Sequence, residues 1–141
     1  MSSDTGKAML IDYIDNLPED CLILLWSGIP CTGGSNWVRV NLKQYKSFRE
    51  RLATHHVLWE KLFINFEMAA ERVLKRNGHI ALEWPKGNSY WSHRRVKGFF
   101  KRATNTYGAK WTQTYVDGPA VGLIARGGKD DGKHCERHGR L

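Results

Sequence analysis

Apolar residues Met9, Leu10, Tyr13, Ile14 and Leu17 recur at helical spacing and stop at Pro18, which predicts a first helix from about Lys7 to Leu17. Directly afterwards, Cys21-Leu22-Ile23-Leu24-Leu25-Trp26 is apolar at every position. So short a run, bounded by Pro18-Glu19-Asp20 and Ser27-Gly28, predicts a strand buried on both faces, as in a parallel sheet. A glycine-rich loop, Gly28 to Ser35, follows. Phe48, Leu52, His55, Trp59, Leu62, Phe66, Ala69 and Val73 then step by threes and fours, while Arg49, Glu60, Lys61, Glu67, Glu71 and Lys75 fall on other faces. This pattern predicts an amphipathic helix from about Leu42 to Arg76, with a candidate break at Thr54-His55-His56 and a stop at Asn77-Gly78.

His79 to Trp84 reads as a second short strand, closed by Pro85. Lys86 to Ser89 is a loop, and Ser92 is a candidate cap for a helix with the apolar stripe Val96, Phe99, Phe100 and Ala103. Trp111 to Val116 and Ala120 to Ala125 flank the turn Asp117-Gly118-Pro119 and predict an antiparallel β-hairpin. From Arg126 onward the chain is glycine-rich and charged. The expected organisation is therefore a single α/β domain over residues 1–126 and a basic, flexible tail over 127–141. Strands alternating with helices imply parallel strands joined by crossover helices. In such sheets ligands bind beyond the carboxyl ends of the strands, so the loops after Trp26 and after Leu82 should be neighbours.

At 141 residues the chain holds about one domain, which excludes a multidomain enzyme. No apolar run approaches the roughly 18–20 residues of a membrane span. Met1 to Lys7 is polar and lacks a secretory signature. Three cysteines with no C-x-x-C pair argue against a disulfide framework and for an intracellular location. His134-Cys135-x-x-His138 is a single ligand-type cluster without a second to complete a zinc site, so no metal is expected. Charge adds more. Twenty-two Lys and Arg against fourteen Asp and Glu give a formal net charge of +8, which attracts polyanions, nucleic acid foremost. No acidic residue occurs between Glu83 and Asp117, where Lys86, Arg94, Arg95, Lys97, Lys101, Arg102 and Lys110 all lie. Tyr90, Trp91 and Tyr107 interleave with these cations and could stack on bases.

Two residues could carry chemistry. Cys31 sits among Gly28, Gly33 and Gly34, directly after a strand and shortly before a helix. Glycines permit a tight, exposed turn, and amides near a helix start favour a thiolate nucleophile. The plain alternative is an inert cysteine in a glycine-rich turn. Glu83 ends an apolar strand beside Trp84, where partial desolvation would suit an acid or a hydrogen-bond partner. A strand-terminal carboxylate facing water is the competing reading.

Gly28-Ile29-Pro30-Cys31-Thr32-Gly33-Gly34-Ser35 resembles the catalytic loop of DNA cytosine-5 methyltransferases, written G-F-P-C-Q-x-x-S, with Gly28, Pro30, Cys31 and Ser35 at matching offsets. Glu83 with Trp84 resembles the Glu-Asn-Val motif that ends the next strand in that family. Thr32 stands at the family's Gln, Trp84-Pro85 at its Asn-Val, and no G-x-G-x-x-G occurs. The resemblance covers roughly Asp20 to Ala125. It implies a small half-Rossmann-like sheet, the carboxyl-terminal half of a methyltransferase, akin also to domains of mobile-element polyproteins. It further implies that Cys31 adds to C6 of a flipped-out cytosine, that Glu83 binds the base's Watson–Crick edge, and that S-adenosylmethionine donates a methyl group. Pro30, Thr32, Ser35 and Pro85 would shape the substrate loop. Lys86, Tyr90, Trp91, Arg94, Arg95, Lys97, Lys101 and Arg102 would contact nucleic acid. Two alternatives stand beside the enzyme reading. One is a non-catalytic, basic nucleic-acid-binding module. The other is a structural fragment that self-associates or awaits an N-terminal segment to complete its sheet.

Overall fold

A computed structural model describes residues 4–45, 47–117 and 138–140. The chain opens with α1 (Asp4–Asp15), β1 (Leu24–Ser27), α2 (Trp37–Gln44) and α3 (Phe48–Lys75). It continues with β2 (His79–Leu82), β3 (Trp84–Pro85), α4 (Arg94–Tyr107), β4 (Tyr115–Asp117) and β5 (His138–Arg140). Short 3₁₀ turns at Thr32–Gly34 and Ser89–Ser92 follow β1 and β3. The protein thus mixes helices with a two-stranded parallel sheet, β1 beside β2, and an antiparallel ladder in the order β3-β5-β4. No helix among the described residues is long and apolar enough to cross a membrane.

The 28-residue α3 is the organising element. One side meets α1 through Ala69 and Val73, which pack with Ile14 and Ile23. The other carries Trp59, Phe63, Phe66 and Ala70 into the main core with Leu82, Trp84, Tyr90, Val96, Phe99 and Ala103. The register Leu24↔His79 to Ser27↔Leu82 sends both strands' carboxyl ends the same way. At the far end of α3, the Arg76 guanidinium donates to the carbonyls of Ile14, Leu17 and Pro18, satisfying acceptors left open where α1 stops. Asn77 takes the left-handed conformation (φ 57°), and Gly78 N–H donates back to the Val73 carbonyl, a C-cap at the predicted stop.

Several sequence expectations need correcting. β1 is not buried on both faces. Ile23 is buried and Leu25 half-buried against α3, but Leu22, Leu24 and Trp26 are 78%, 58% and 54% exposed because the described residues cover only one side of the sheet. The long helix is two helices, and the interruption lies between Gln44 and Phe48 rather than at Thr54-His56, which is helical. β2 stops at Leu82, and Trp84-Pro85 joins the other ladder. The cap of α4 is His93, whose Nδ1 accepts from Arg95 N–H, rather than Ser92. The partner of β4 is β5; the anticipated second hairpin strand, Ala120–Ala125, lies outside the described residues, as does most of the tail.

Glu67, read from its spacing as an outward-facing residue, is only 5% exposed. Burying a carboxylate is unfavourable unless it is paired. Arg95 and Arg102 both converge on it from α4, Arg102 at 2.8 Å, and tie α4 to α3. Glu67→Gln should lower the unfolding free energy by about 1–3 kcal/mol, moderated because both arginines stay half-exposed. Phe63→Ala, a fully buried ring, should cost about 3–5 kcal/mol. Denaturant midpoints at unchanged slope measure both.

Candidate functional site

The parallel pairing of β1 and β2 places the two loops singled out in the sequence side by side, and three hydrogen bonds fasten them. Trp84 Nε1–H donates to the Ile29 carbonyl at 2.7 Å, inside the core. Asn88 Nδ2–H donates to the Cys31 carbonyl at 2.8 Å, while its Oδ1 accepts from Tyr90 N–H at 2.9 Å. Asn88 is itself buried, so both ends of its side chain are engaged where water cannot compete. At the rim, Trp26 Nε1–H donates to the Glu83 carboxylate at 3.2 Å, which links the last turn of β1 to the residue just beyond β2. Sequence reasoning passed over Asn88; a lone Asn in a loop gives no signal of burial.

Below these bonds lies an aromatic stack. The Trp59 ring lies 4.3 Å from Tyr90 at an interplanar angle of 20° and 5.2 Å from Phe63, with Trp84 tilted against both Trp59 and Tyr90. Tyr90 also approaches His56 edge-on. His56 Nε2–H donates to the Gly33 carbonyl at 3.2 Å. The glycine pair has a different purpose from the one its sequence implied. Gly33 and Gly34 are buried, not an exposed turn. A Cβ on Gly34 would run into Asn88 Oδ1 and the Tyr90 ring, and one on Gly33 into Tyr90 Oη and the His56 ring. Gly28, by contrast, borders open space.

Cys31 is half-buried at the head of the first 3₁₀ turn, a free thiol packed against the aromatic core. Glu83 is exposed. Pro30 and Thr32 are exposed, and Ser35 Oγ accepts from Trp37 N–H at 3.3 Å. The Pro85 carbonyl accepts from Asn88 N–H and from Trp91 Nε1–H.

The expected nucleic-acid contacts divide. Tyr90 cannot stack on a base as placed: it is 4% exposed and sandwiched in the core. Trp91 lies edge-on against Trp84 and turns, with Tyr107, toward a cavity along β2. Arg95 and Arg102 are engaged by Glu67. Arg94, Lys97 and Lys101 are exposed at i, i+3 and i+7 on one face of α4, a basic stripe with no ion-pair partner among the described residues. Lys86 is exposed, with its ammonium 4.8 Å from the Tyr115 ring centroid. No group of three His, Cys, Asp or Glu able to hold a metal occurs among the described residues, and Cys135 of the tail cluster lies outside them. Comparison with protein-family models, curated proteins and solved structures finds no match to this chain.

Two outcomes test this construction. Gly34→Ala should destabilise the protein by at least about 2 kcal/mol, while Gly28→Ala changes it by less than about 0.5 kcal/mol, both read from thermal midpoints. Burial, aided by the neighbouring Cys31, pushes the Tyr90 phenol up to about 12 from an ordinary value of 10.0. The unfolded chain therefore releases this proton first, so the associated stability is whole below pH 10 and is lost as pH climbs toward about 12. Tyr90→Phe should lose less stability than the parent across that window. Tyr90 Oη has no hydrogen-bond partner among the described residues, so the same variant should cost little at pH 7.

Proposed function

We propose that this chain is a nucleic-acid-binding domain of the cytosine-5 methyltransferase type, a half-Rossmann-like unit that engages an unstacked pyrimidine with Cys31 and Glu83. The observation that carries the reading is the fastening of the Cys31 loop to the segment after β2 by Trp84, Asn88 and Trp26, at one end of a parallel strand pair. A thiol in the turn after β1 and a carboxylate directly beyond β2 lie on two loops fastened to each other, and a base must leave its stack to reach them. The stripe of Arg94, Lys97 and Lys101 supplies phosphate contacts that give affinity without sequence preference.

The chemistry this supports is reversible addition. The Cys31 S–H adds across the 5,6 double bond of cytosine, sulfur to C6 and a proton to C5, while Glu83 holds the amidine edge. Reversal expels either C5 proton, so no external reactant is consumed. S-adenosylmethionine is another matter. A nucleotide-like cofactor needs an open glycine-rich turn leading to a helix. Among the described residues the pair Gly33-Gly34 is closely approached by His56, Asn88 and Tyr90 and offers no such open turn, so the proposal rests on reversible addition alone.

Incubation with a single-stranded oligonucleotide in deuterated water tests the reading. Deuterium should enter cytosine C5, and Cys31→Ala should abolish the exchange while altering binding less than about threefold. Replacing Arg94, Lys97 and Lys101 together by Ala should weaken binding on the order of tenfold or more and flatten its salt dependence. Exchange that persists in Cys31→Ala overturns the chemistry. Binding lost in Cys31→Ala but kept in the triple variant overturns the assignment of the stripe.

A further inference from the structure

Among the described residues β2 pairs with β1 on one side only. The bonds from His79 N–H to the Ile23 carbonyl and from Glu83 N–H to the Ser27 carbonyl fix the alternation: His79, Ala81 and Glu83 turn their peptide groups toward β1. By the same alternation, those of Ile80 and Leu82 point away from it. Among the described residues neither has a hydrogen-bond partner there. An unpaired strand edge of this kind ordinarily faces water or is blunted by a charge or a proline. Here His79 to Leu82 border a cavity of about 790 Å³, within the range of roughly 300–1,000 Å³ that marks built binding sites.

Aromatic side chains line the same cavity. Trp111 packs 4.4 Å from the Phe100 ring, and its Nε1–H donates to Thr104 Oγ1 at 2.9 Å. The preceding turn is bound to the end of α4 through Thr104 Oγ1 to the Ala109 carbonyl and Ala109 N–H to the Ala103 carbonyl. Gly108, in the left-handed conformation (φ 66°), makes that turn possible. The strand edge of β2 and the rings of Trp91, Phe100 and Trp111 line the same cleft, which joins unpaired main-chain groups to apolar side-chain contacts. Among the described residues no carboxylate lines it, and Lys110 does.

We propose that the free edge of β2 is a strand-acceptor site. It takes an extended segment of a partner protein, alternating in apolar side chains and ending in an acidic residue, which pairs with Ile80 and Leu82. Main-chain hydrogen bonds supply affinity, Trp91, Phe100 and Trp111 take alternate side chains, and Lys110 meets the acidic end. The site is separate from the Cys31 loop and does not depend on base chemistry.

A fluorescein-labelled peptide, Asp-Val-Thr-Val-Thr-Val-Asp, tests it, with anisotropy for binding and amide exchange for location. Saturable binding should slow exchange at Ile80 and Leu82 at least tenfold and leave Ala81 unchanged. Of two peptides methylated on alternate backbone nitrogens, one should bind at least tenfold more weakly, and Lys110→Glu should weaken the parent peptide several-fold. Equal binding by both methylated peptides, or no saturable binding, overturns the proposal. So does protection of Ile80 and Leu82 in the free monomer, which would mean the chain covers its own edge, or protection that grows with protein concentration, which would assign the edge to a second copy. Cys31→Ala should leave peptide binding intact, so the outcome is independent of the deuterium exchange experiment.

Discussion

The Trp59–Tyr90–Trp84 cluster is the constraint on which the rest of the architecture depends. Trp59 comes from the middle of α3, Trp84 from just beyond β2 and Tyr90 from the second 3₁₀ turn. Packed together, they leave the loop after β1 no choice of position, because the Ile29 carbonyl must meet the Trp84 indole and the Cys31 carbonyl the Asn88 amide. Large rings in a dense interior transmit shape with little slack. Residues separated by more than fifty positions are held together by packing first and polar contacts second. The polar contacts then set orientation, as buried hydrogen bonds do when every alternative is unsatisfied.

The cluster also carries two unfilled polar valences. Neither Trp59 Nε1–H nor Tyr90 Oη finds a partner among the described residues. Each represents a desolvation cost the surrounding apolar contacts must outweigh.

The sequence made the helices and the β1–β2 pair legible because periodicity reports which side of an element is covered. The stripe through Trp59, Phe66, Ala69 and Val73 was visible, and so was the stop at Asn77-Gly78. Where the reading failed, a distant partner decided the outcome. Periodicity sets Glu67 apart from the apolar stripe but does not show two arginines arriving from another helix to bury it. Tyr90 was assigned to a binding face because the spacing of aromatics among cations looks the same whether the rings point in or out. Gly33 and Gly34 in sequence imply a tight, exposed turn, whereas the turn is buried and close approach by Asn88, Tyr90 and His56 demands their missing side chains. The faces of β1 illustrate the limit most directly. Six consecutive apolar residues announced a strand, but only the second layer of a sheet determines whether both sides are covered, and a run of letters does not contain that layer.

The shared grip of Arg95 and Arg102 on Glu67 reaches beyond the stability of the helix pair. By pairing two half-exposed guanidinium groups with one buried carboxylate, it weakens their share of the outer field of α4 and leaves Arg94, Lys97 and Lys101 in a single file. At a rise of about 1.5 Å per residue, Arg94 and Lys101 stand only about 10 Å apart along the axis. A polyanion meeting that file encounters a direction as well as an attraction, since charge strung along a line aligns a flexible strand where a diffuse cloud would merely gather it.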